Sequence, residues 1–484
     1  MKYVKVIGNM RATAVWLVVF AAGCAVGPDY RKPDLSVPAT WQEAQQDGVD
    51  TRADKLAEWW KEFNDPLLDS LVERAVKNNL DLRIAEARVR EERASLAATE
   101  SGLWPNLNSS GSYSRNRASQ NAVGAPTQGA VAAPRSGAQL EQSFYQTGFD
   151  SSWEIDVFGG TRRQIEAAQA VLQASIEDRR SVLVTLLGDV GVNYINLRGL
   201  QRQLAVAQEN LRSQQDTLEL TRVRFNAGLA SDLEVAQSEG QVNTTAAQIP
   251  TLQSSLKQAA YRLDVLLGTQ PGTSWDELAK VEPVPALPPE AHVGLPVDLL
   301  RRRPDIRSAE RQLAAATAQV GAATADLYPK FSLLGSIGLQ SISASDWITA
   351  QSRFWSIGPT ITWPVFDAGR IRATIEIRTA QQEQALGQYE KSVLTAFEDV
   401  ENALVNYGNE QKRYRSLLEA TAANRRALQM ANDLYIQGLV PFLNVLDAER
   451  TLYSSESDLA QSEATMASNL VALYKALGGG WETS

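Results

Sequence analysis

Two side chains that could do solution chemistry each occur once, His292 and Cys24. A Ser-His-Asp relay would have to use His292, and no G-x-S-x-G stretch supplies a nucleophile for it. His292 also lies in VEPVPALPPEAHVGLP (281–296), a proline-rich stretch that reads as a linker. Cys24 is the sole thiol, so no intramolecular disulfide can form. Glycine-rich phosphate loops and clustered metal-ligand motifs are absent from the sequence. These residues describe a non-enzyme with no metal and no diffusible cofactor. The net charge of −9 supplies no basic footprint for a nucleic acid.

The N-terminus carries the one modification signal. Lys2, Lys5 and Arg11 precede the apolar run ATAVWLVVFAA, which ends at Gly23-Cys24, the pattern of a secretory signal over residues 1–23. A lone cysteine after AAG resembles the lipobox of bacterial lipoproteins, although Ala21 stands where that motif usually has leucine. The resemblance implies a covalent lipid of the palmitate class on Cys24, and Ala25 rather than aspartate after it implies sorting to the outer membrane. Removing residues 1–23 takes away three positive and no negative charges, so the mature chain carries −9 − 3 = −12. No apolar run of ~18 residues or more follows, so no transmembrane helix is expected.

The elements that would position any site fall into two kinds. YQTGFDSSWEIDVFGG (145–160) alternates strictly: Tyr145, Phe149, Trp153 and Ile155 on one face, Gln146, Asp150, Ser152 and Glu154 on the other. That is a β-strand with one apolar and one polar face. Strands are expected at about 104–115, 144–158, 330–341 and 353–366, with Leu334 the exception to the alternation and the first strand mostly polar. The loop 116–142, rich in Ala, Gly, Ser and Pro, reads as an extracellular excursion. The other kind is helical. Leu183, Val190, Leu197, Leu204, Leu211, Leu218 and Phe225 recur every seven residues, a coiled-coil seam. Its companion seam turns polar at Gln201, Gln208, Gln215 and Arg222, which fits helices set around water or a solvated face. Residues 160–226 as one helix would span roughly 100 Å.

The chain repeats itself once. NNLDLRIAEARV (78–89) matches RRPDIRSAERQL (302–313), VFGGTR (157–162) matches VFDAGR (365–370), and GLASDLEVAQ (228–237) matches GLVPFLNVLD (438–447). After a lipidated arm over 24–65, the first copy covers 66–270, the linker 271–296, the second copy 297–478 and a tail 479–484. Each copy reads as helix, β-hairpin and long helix, then a Gly-Leu turn and a further helix.

Four strands of about ten residues are long enough to cross a bilayer when tilted. Four cannot close a barrel, because roughly eight is the minimum and bare edges are not tolerated in lipid. The chain must then share a barrel with copies of itself, and a conducting pore favours three copies or more. The strands alone also fit two soluble hairpins packed on helices. GLPVDLLRRRPDIRSAE (294–310), YKALGGGW (474–481) and the doubled plan resemble the TolC-like outer-membrane factors, in the lipoprotein branch that serves multidrug efflux pumps. The resemblance implies an α+β membrane protein: a homotrimer whose 12-stranded β-barrel in the Gram-negative outer membrane continues as a long α-helical barrel through the periplasm. Its partners would be a periplasmic adaptor and an inner-membrane transporter, and its cargo small amphiphilic compounds. Protein export in a type I secretion system keeps the same fold, and a periplasmic lipoprotein adaptor or scaffold is the reading from another class.

The resemblance also implies a site. Members close the periplasmic end with acidic rings after the second turn, and the matching positions are Asn444 and Asp447, with Glu234 the first-copy counterpart of Asn444. Where some relatives carry an arginine just after the turn, this chain has Val440. Gly228, Leu229, Gly438 and Leu439 are the implied adaptor-contact tips, although leucines there could equally staple their own turns. Trp59 and Trp60 read as packing of the N-terminal arm, and Arg301 to Arg303 as a structural helix start.

Overall fold

The computed structural model describes residues 25–43, 49–50, 57–117, 141–288 and 291–482. The signal sequence, Cys24 and residues 118–140 of the long loop lie outside them. The described residues form two compact units. One holds those up to Lys32 with Glu91–Leu172 and Arg311–Leu386, and the other holds Pro33–Arg90, Gln173–Glu310 and Gly387 onward.

The helices are α1 (Pro66–Asn78), α2 (Leu80–Glu100), α3 (Gly160–Asn226), α4 (Asp232–Leu266), α5 (Pro296–Arg302), α6 (Pro304–Ala325), α7 (Arg370–Ile436) and α8 (Phe442–Ala476). The single helix expected at the start of each copy is broken once. Asn79 leaves the helical region at the first break (φ −60°, ψ 134°), and Pro304, which disfavours a helical residue before it, places Arg303 in extended geometry at the second.

The two breaks are the same joint built from different side chains. Asn79 Nδ2 donates to the last carbonyl of α4, Leu266 O, at 2.9 Å, while its Oδ1 accepts from Leu82 N and caps α2. In the second copy Arg303 Nη1 donates to the last carbonyl of α8, Ala476 O, at 3.0 Å, and the same side chain binds Asp305 and Asp399. Both α4 and α8 end on a glycine in left-handed geometry, Gly268 (φ +70°) and Gly478 (φ +73°). A Cβ at either would press on the backbone of the joint, at Asn78 or at Arg302 and Arg303. Arginine 303 is thus a fastening of the fold, and Arg302 O accepts from Trp481 Nε1 to hold the tail.

Around these joints lies the core of the second unit. Leu68, Leu71 and Val72 of α1, Leu187, Val190 and Tyr194 of α3, and Leu470, Val471 and Tyr474 of α8 are all buried. Trp59 is buried with them and stacks on Tyr474 at 5.7 Å, so the arm does pack through its tryptophans. The seven-residue seam of α3 is buried at Leu183, Val190, Leu197 and Leu218, but Phe225 at its end is exposed. The polar companion seam divides: Gln201 is buried and donates to Leu278 O and Lys280 O, while Gln208, Gln215 and Arg222 face solvent. Those two carbonyls belong to the linker, which folds into a helical turn at Trp275–Leu278 and bridges Ala291–His292 to Val49–Asp50.

The first unit carries one antiparallel sheet in the order β1 (Asn106–Arg117), β2 (Glu141–Ile155), β3 (Lys330–Ser341), β4 (Arg353–Thr362). Strand β2 stops at Ile155, short of the expected residue 158, because Asp156 turns to cap α3 by accepting from Thr161 N and Arg162 N. Likewise β4 stops at Thr362, not 366: Pro364 has no N–H to donate, and Asp367 accepts from Gly369 N and Ile371 N at the start of α7. The first strand starts at Asn106, after Pro105, and runs two residues past the expected end.

Replacing Asn79 with alanine removes a cap and leaves Leu266 O without its donor, and should lower stability by about 2 kcal/mol in thermal unfolding of the purified protein. Serine, which restores only the capping oxygen, should fall between alanine and wild type.

Candidate functional site

Strand register sorts the sheet into two chemically distinct faces. Pairing Phe149 with Ile337, and Ile337 with Trp355, puts an apolar row across β2, β3 and β4, and Trp355 is 75% exposed. Parity adds Tyr113, Tyr145, Trp153, Leu333, Leu339, Ile357 and Ile361 to that face. The other face pairs Asn108 with Asp150, Asp150 with Ser336 and Ser336 with Ser356. Aromatic rings gather at both ends of the apolar face. At one end Tyr113 lies 4.8 Å from Tyr145 and Tyr145 lies 5.8 Å from Trp347. At the other end Trp153 and Trp363 donate from their indole nitrogens to Leu103 O and Leu327 O. Tyr145 and Trp153 are eight residues apart, about 27 Å along a strand, the height of a hydrocarbon band flanked by aromatic girdles.

The opposite chemistry lies in the second unit, at the two turns. Gly228 (φ +75°) and Gly438 (φ +73°) occupy the left-handed position that lets the chain reverse. Leu229 N reaches back to Arg224 O and Leu439 N to Leu434 O, closing both helices alike. The leucines do not staple these turns: each is 67% exposed. Arg224, Tyr435 and Glu234 hold the two tips to each other. Tyr435 Oη donates to Glu234 Oε2 at 2.8 Å, Arg224 Nη1 donates to Ile436 O at 3.1 Å, and the guanidinium lies 4.5 Å from the Tyr435 ring centre. Burial first, and then the Glu234 carboxylate, raise the Tyr435 pKa, which keeps its hydrogen available as donor.

Asn444 and Asp447 stand one turn apart on the exposed face of α8, lining a cleft of about 630 Å³ with Asn424, Leu443 and Thr451. The structure therefore brings these two expected residues together and holds Glu234 in a different role, as acceptor of the Tyr435 tie. Val440 packs against the buried cluster of Tyr435, Phe442, Val445 and Leu446. Tyr435 and Arg224 were not expected as site residues. Their signal in the sequence is only a short spacing before each turn glycine.

A second unexpected residue is Glu449. It is 4% exposed, and Thr217 Oγ1 donates to it at 2.6 Å. Burial raises its pKa and the Thr217 hydrogen bond offsets this in part. One turn away Gln214 is buried with neither amide atom hydrogen-bonded among the described residues. Further along, Asn210 donates to Glu456. The contact of α3 with α8 is thus polar where a coiled coil would be apolar.

A strand face built for lipid and helical hairpins fastened at their tips define an outer-membrane duct. The model for outer membrane efflux proteins matches residues 71–269 and 295–479, one segment in each copy. The chain is 33% identical over 488 residues to the solvent efflux pump outer membrane protein SrpC of Pseudomonas putida, covering 98% of this chain and 99% of SrpC. It is 33% identical over 476 residues to nodulation protein T of Rhizobium leguminosarum bv. trifolii, covering 97% of each. The solved outer-membrane channel OprN superposes with a TM-score of 0.87 at 38% identity, over 95% of this chain and all of OprN. The chain belongs to the outer membrane efflux protein family. It is an outer-membrane exit duct for efflux, the reading that the sequence resemblance implied, and the alternative of a periplasmic adaptor is set aside.

Because the raised pKa of Glu449 means the folded state holds the proton more tightly than the unfolded chain, stability should fall as pH rises from the ordinary carboxylate range through the raised value. Glu449→Gln should flatten that slope and raise the melting temperature at neutral pH by about one degree, roughly the effect of 1 kcal/mol on a chain of this length. A melting temperature that keeps its wild-type pH dependence in the variant would refute this.

Proposed function

We propose that three copies of the chain close a 12-stranded barrel in the outer membrane, continued by a helical tunnel through the periplasm that is shut at Asp447 and Asn444. The observation that carries this reading is the sheet. Its apolar face is exposed, and its outer strands β1 and β4 each pair on one side only among the described residues. In lipid no water can satisfy those backbone groups, so another chain must. Two copies would give eight strands around an interior filled by side chains, while three give twelve and room for a lumen.

The lumen takes the polar face, with Ser110, Asp150, Ser336 and Ser356. At the three-fold axis of the tunnel, copies of Asp447 form a carboxylate ring that favours cations, as charged rings do in other pores. Asn444 adds a neutral ring beside it. The Tyr435–Glu234 tie and the Arg224 contact hold each pair of tips in the shut arrangement, and opening must break them. Exposed Leu229 and Leu439 are the docking points for a periplasmic adaptor, which couples the duct to an inner-membrane transporter. Small amphiphilic compounds are the cargo, a reading supported by the solvent efflux pump to which SrpC belongs. The duct performs no chemistry and needs no cofactor beyond the acyl chains on Cys24 that anchor the arm.

The test is single-channel conductance of the mature protein in planar bilayers. Wild type should give small, cation-selective openings. Asp447→Ala should enlarge them about twofold or more and weaken cation preference, with a trimer band still seen on unheated gels. Tyr435→Phe, which removes the hydroxyl that donates to Glu234, should raise the frequency of opening and leave selectivity intact. An inserted trimer whose conductance ignores both substitutions would place the gate elsewhere.

A further inference from the structure

The apolar face of the sheet ends, on the side away from the helices, in charged residues among which arginine is in excess. Arg115 and Arg117 follow Tyr113 at two-residue steps and so share its face, opposite Ser143 and Glu141. Arg115 Nη2 lies 2.8 Å from Glu141 Oε2 and Arg117 Nη1 lies 3.4 Å from Oε1. One carboxylate thus serves two guanidinium groups that remain 65% and 67% exposed. On the other outer strand Arg353 pairs with Leu339 in register and precedes Trp355 by two residues, which puts it on the same face, and it too is exposed. Three arginines against one glutamate stand out in a chain whose net charge is −9.

Their height on the strand decides what they meet. The ring cluster of Tyr113, Tyr145 and Trp347 lies just inward of Arg115 and Arg117, whereas Arg353, in register with Leu339 and through it with Thr147, lies two residues inward of Tyr145 and reaches the same layer by extending its long side chain outward. Such rings sit at the level of lipid headgroups. Arg115 and Arg117 are two and four residues further out, about 7 and 13 Å along the strand. That is the layer of headgroup phosphates. The guanidinium fork matches a phosphate with two parallel hydrogen bonds. Arginines serving only solubility would have no reason to share the lipid-facing parity of Tyr113, Ile337 and Trp355.

We propose that Arg115, Arg117 and Arg353 form a rim that binds the phosphate groups of outer-leaflet lipid. The proposal rests on the shared-barrel reading, in which β4 of one copy runs antiparallel to β1 of the next. That pairing carries Arg353 to the end of the seam where the neighbour's β1 terminates in arginines. The phosphate could come from a lipid headgroup or from free phosphate, and the experiment separates the two.

The purified trimer in nonionic detergent is titrated with lipid A, beside the variant Arg115→Gln, Arg117→Gln, Arg353→Gln. The triple variant should retain lipid A at least roughly tenfold more weakly at low ionic strength, and the wild-type affinity should fall with added salt. Lipid A stripped of its phosphates should bind wild type no better than the variant binds lipid A. Inorganic phosphate at matched concentration should not compete. Conductance in planar bilayers should be the same for both proteins. Equal retention by wild type and variant overturns the rim, as does equal binding of the stripped lipid. Full competition by inorganic phosphate reduces it to a generic anion site and overturns the lipid assignment. Failure of either protein to insert at all would remove the barrel reading and this one together, whereas insertion with variant-insensitive lipid binding removes only the rim.

Discussion

A backbone hydrogen bond that must be made in the absence of water is the constraint on which the rest of this structure depends. In a bilayer each N–H and C=O of a strand needs a partner from another strand. The chain contributes four strands, each hairpin delivered between helices: α2 leads into β1, β2 into α3, α6 into β3 and β4 into α7. Those four helices therefore attach at one end of the sheet, and the strand ends Arg117, Glu141, Ser341 and Arg353 lie at the other. The girdles, the polar face and the outer strands paired on one side only among the described residues are consequences of that arrangement. A membrane helix satisfies its own backbone and would have imposed none of it.

Duplication explains how one chain came to supply four strands, and divergence shows what the copies do differently. The joint before α2 and the joint before α6 make the same contact, to Leu266 O and to Ala476 O, yet one uses a neutral amide and the other a guanidinium with two carboxylates. The helices beyond the joints differ as well. In α6 Ile306, Leu313, Ala314 and Ala318 are buried, whereas α2 buries only Leu82 and Ala85 and exposes Leu80 and Ile84. In the proposed ring of copies such an uncovered apolar face is the one that would meet a neighbour.

What the sequence made legible was what obeys a period. Strand alternation located the four strands and the lipid-facing set, and the helix over 160–226 coincides with α3. The match of one half to the other placed both tips and the linker. Strand ends were less legible because side-chain caps set them: Asp156 and Asp367 end strands that the alternation would have continued. The Tyr435–Glu234 tie and buried Glu449 were not legible at all, since each depends on which residue of a distant helix lies opposite. Asn444 and Asp447 came from resemblance, and the structure adds only that they share one exposed face. The fate of the polar seam of α3 could not be read either. Gln201 is buried because linker carbonyls reach it, and nothing local to the helix says so.

That seam also bears on where the molecule can move. Along α3 the buried face changes from Leu187, Val190 and Tyr194 to a mixed one in which Asn210, Gln214, Thr217 and Thr221 are buried beside Val206, Ala207 and Leu218. The first group excludes water, and separating it from its partners would cost the full transfer of apolar surface. The second gives up hydrogen bonds that water can replace, at a net loss of about 1 kcal/mol each. Glu449 opposes the contact further, because its carboxylate regains solvation when α3 and α8 part. The tip ties through Tyr435 and Arg224 are of the same replaceable kind. Resistance to parting α3 from α8 therefore declines along the helix toward the turns, where polar groups take a larger share of the contact. The proposed closure at the turns needs this gradient: a dry seam carried to Gly228 and Gly438 would hold the tips as firmly as the joints at Asn79 and Arg303 hold the rest.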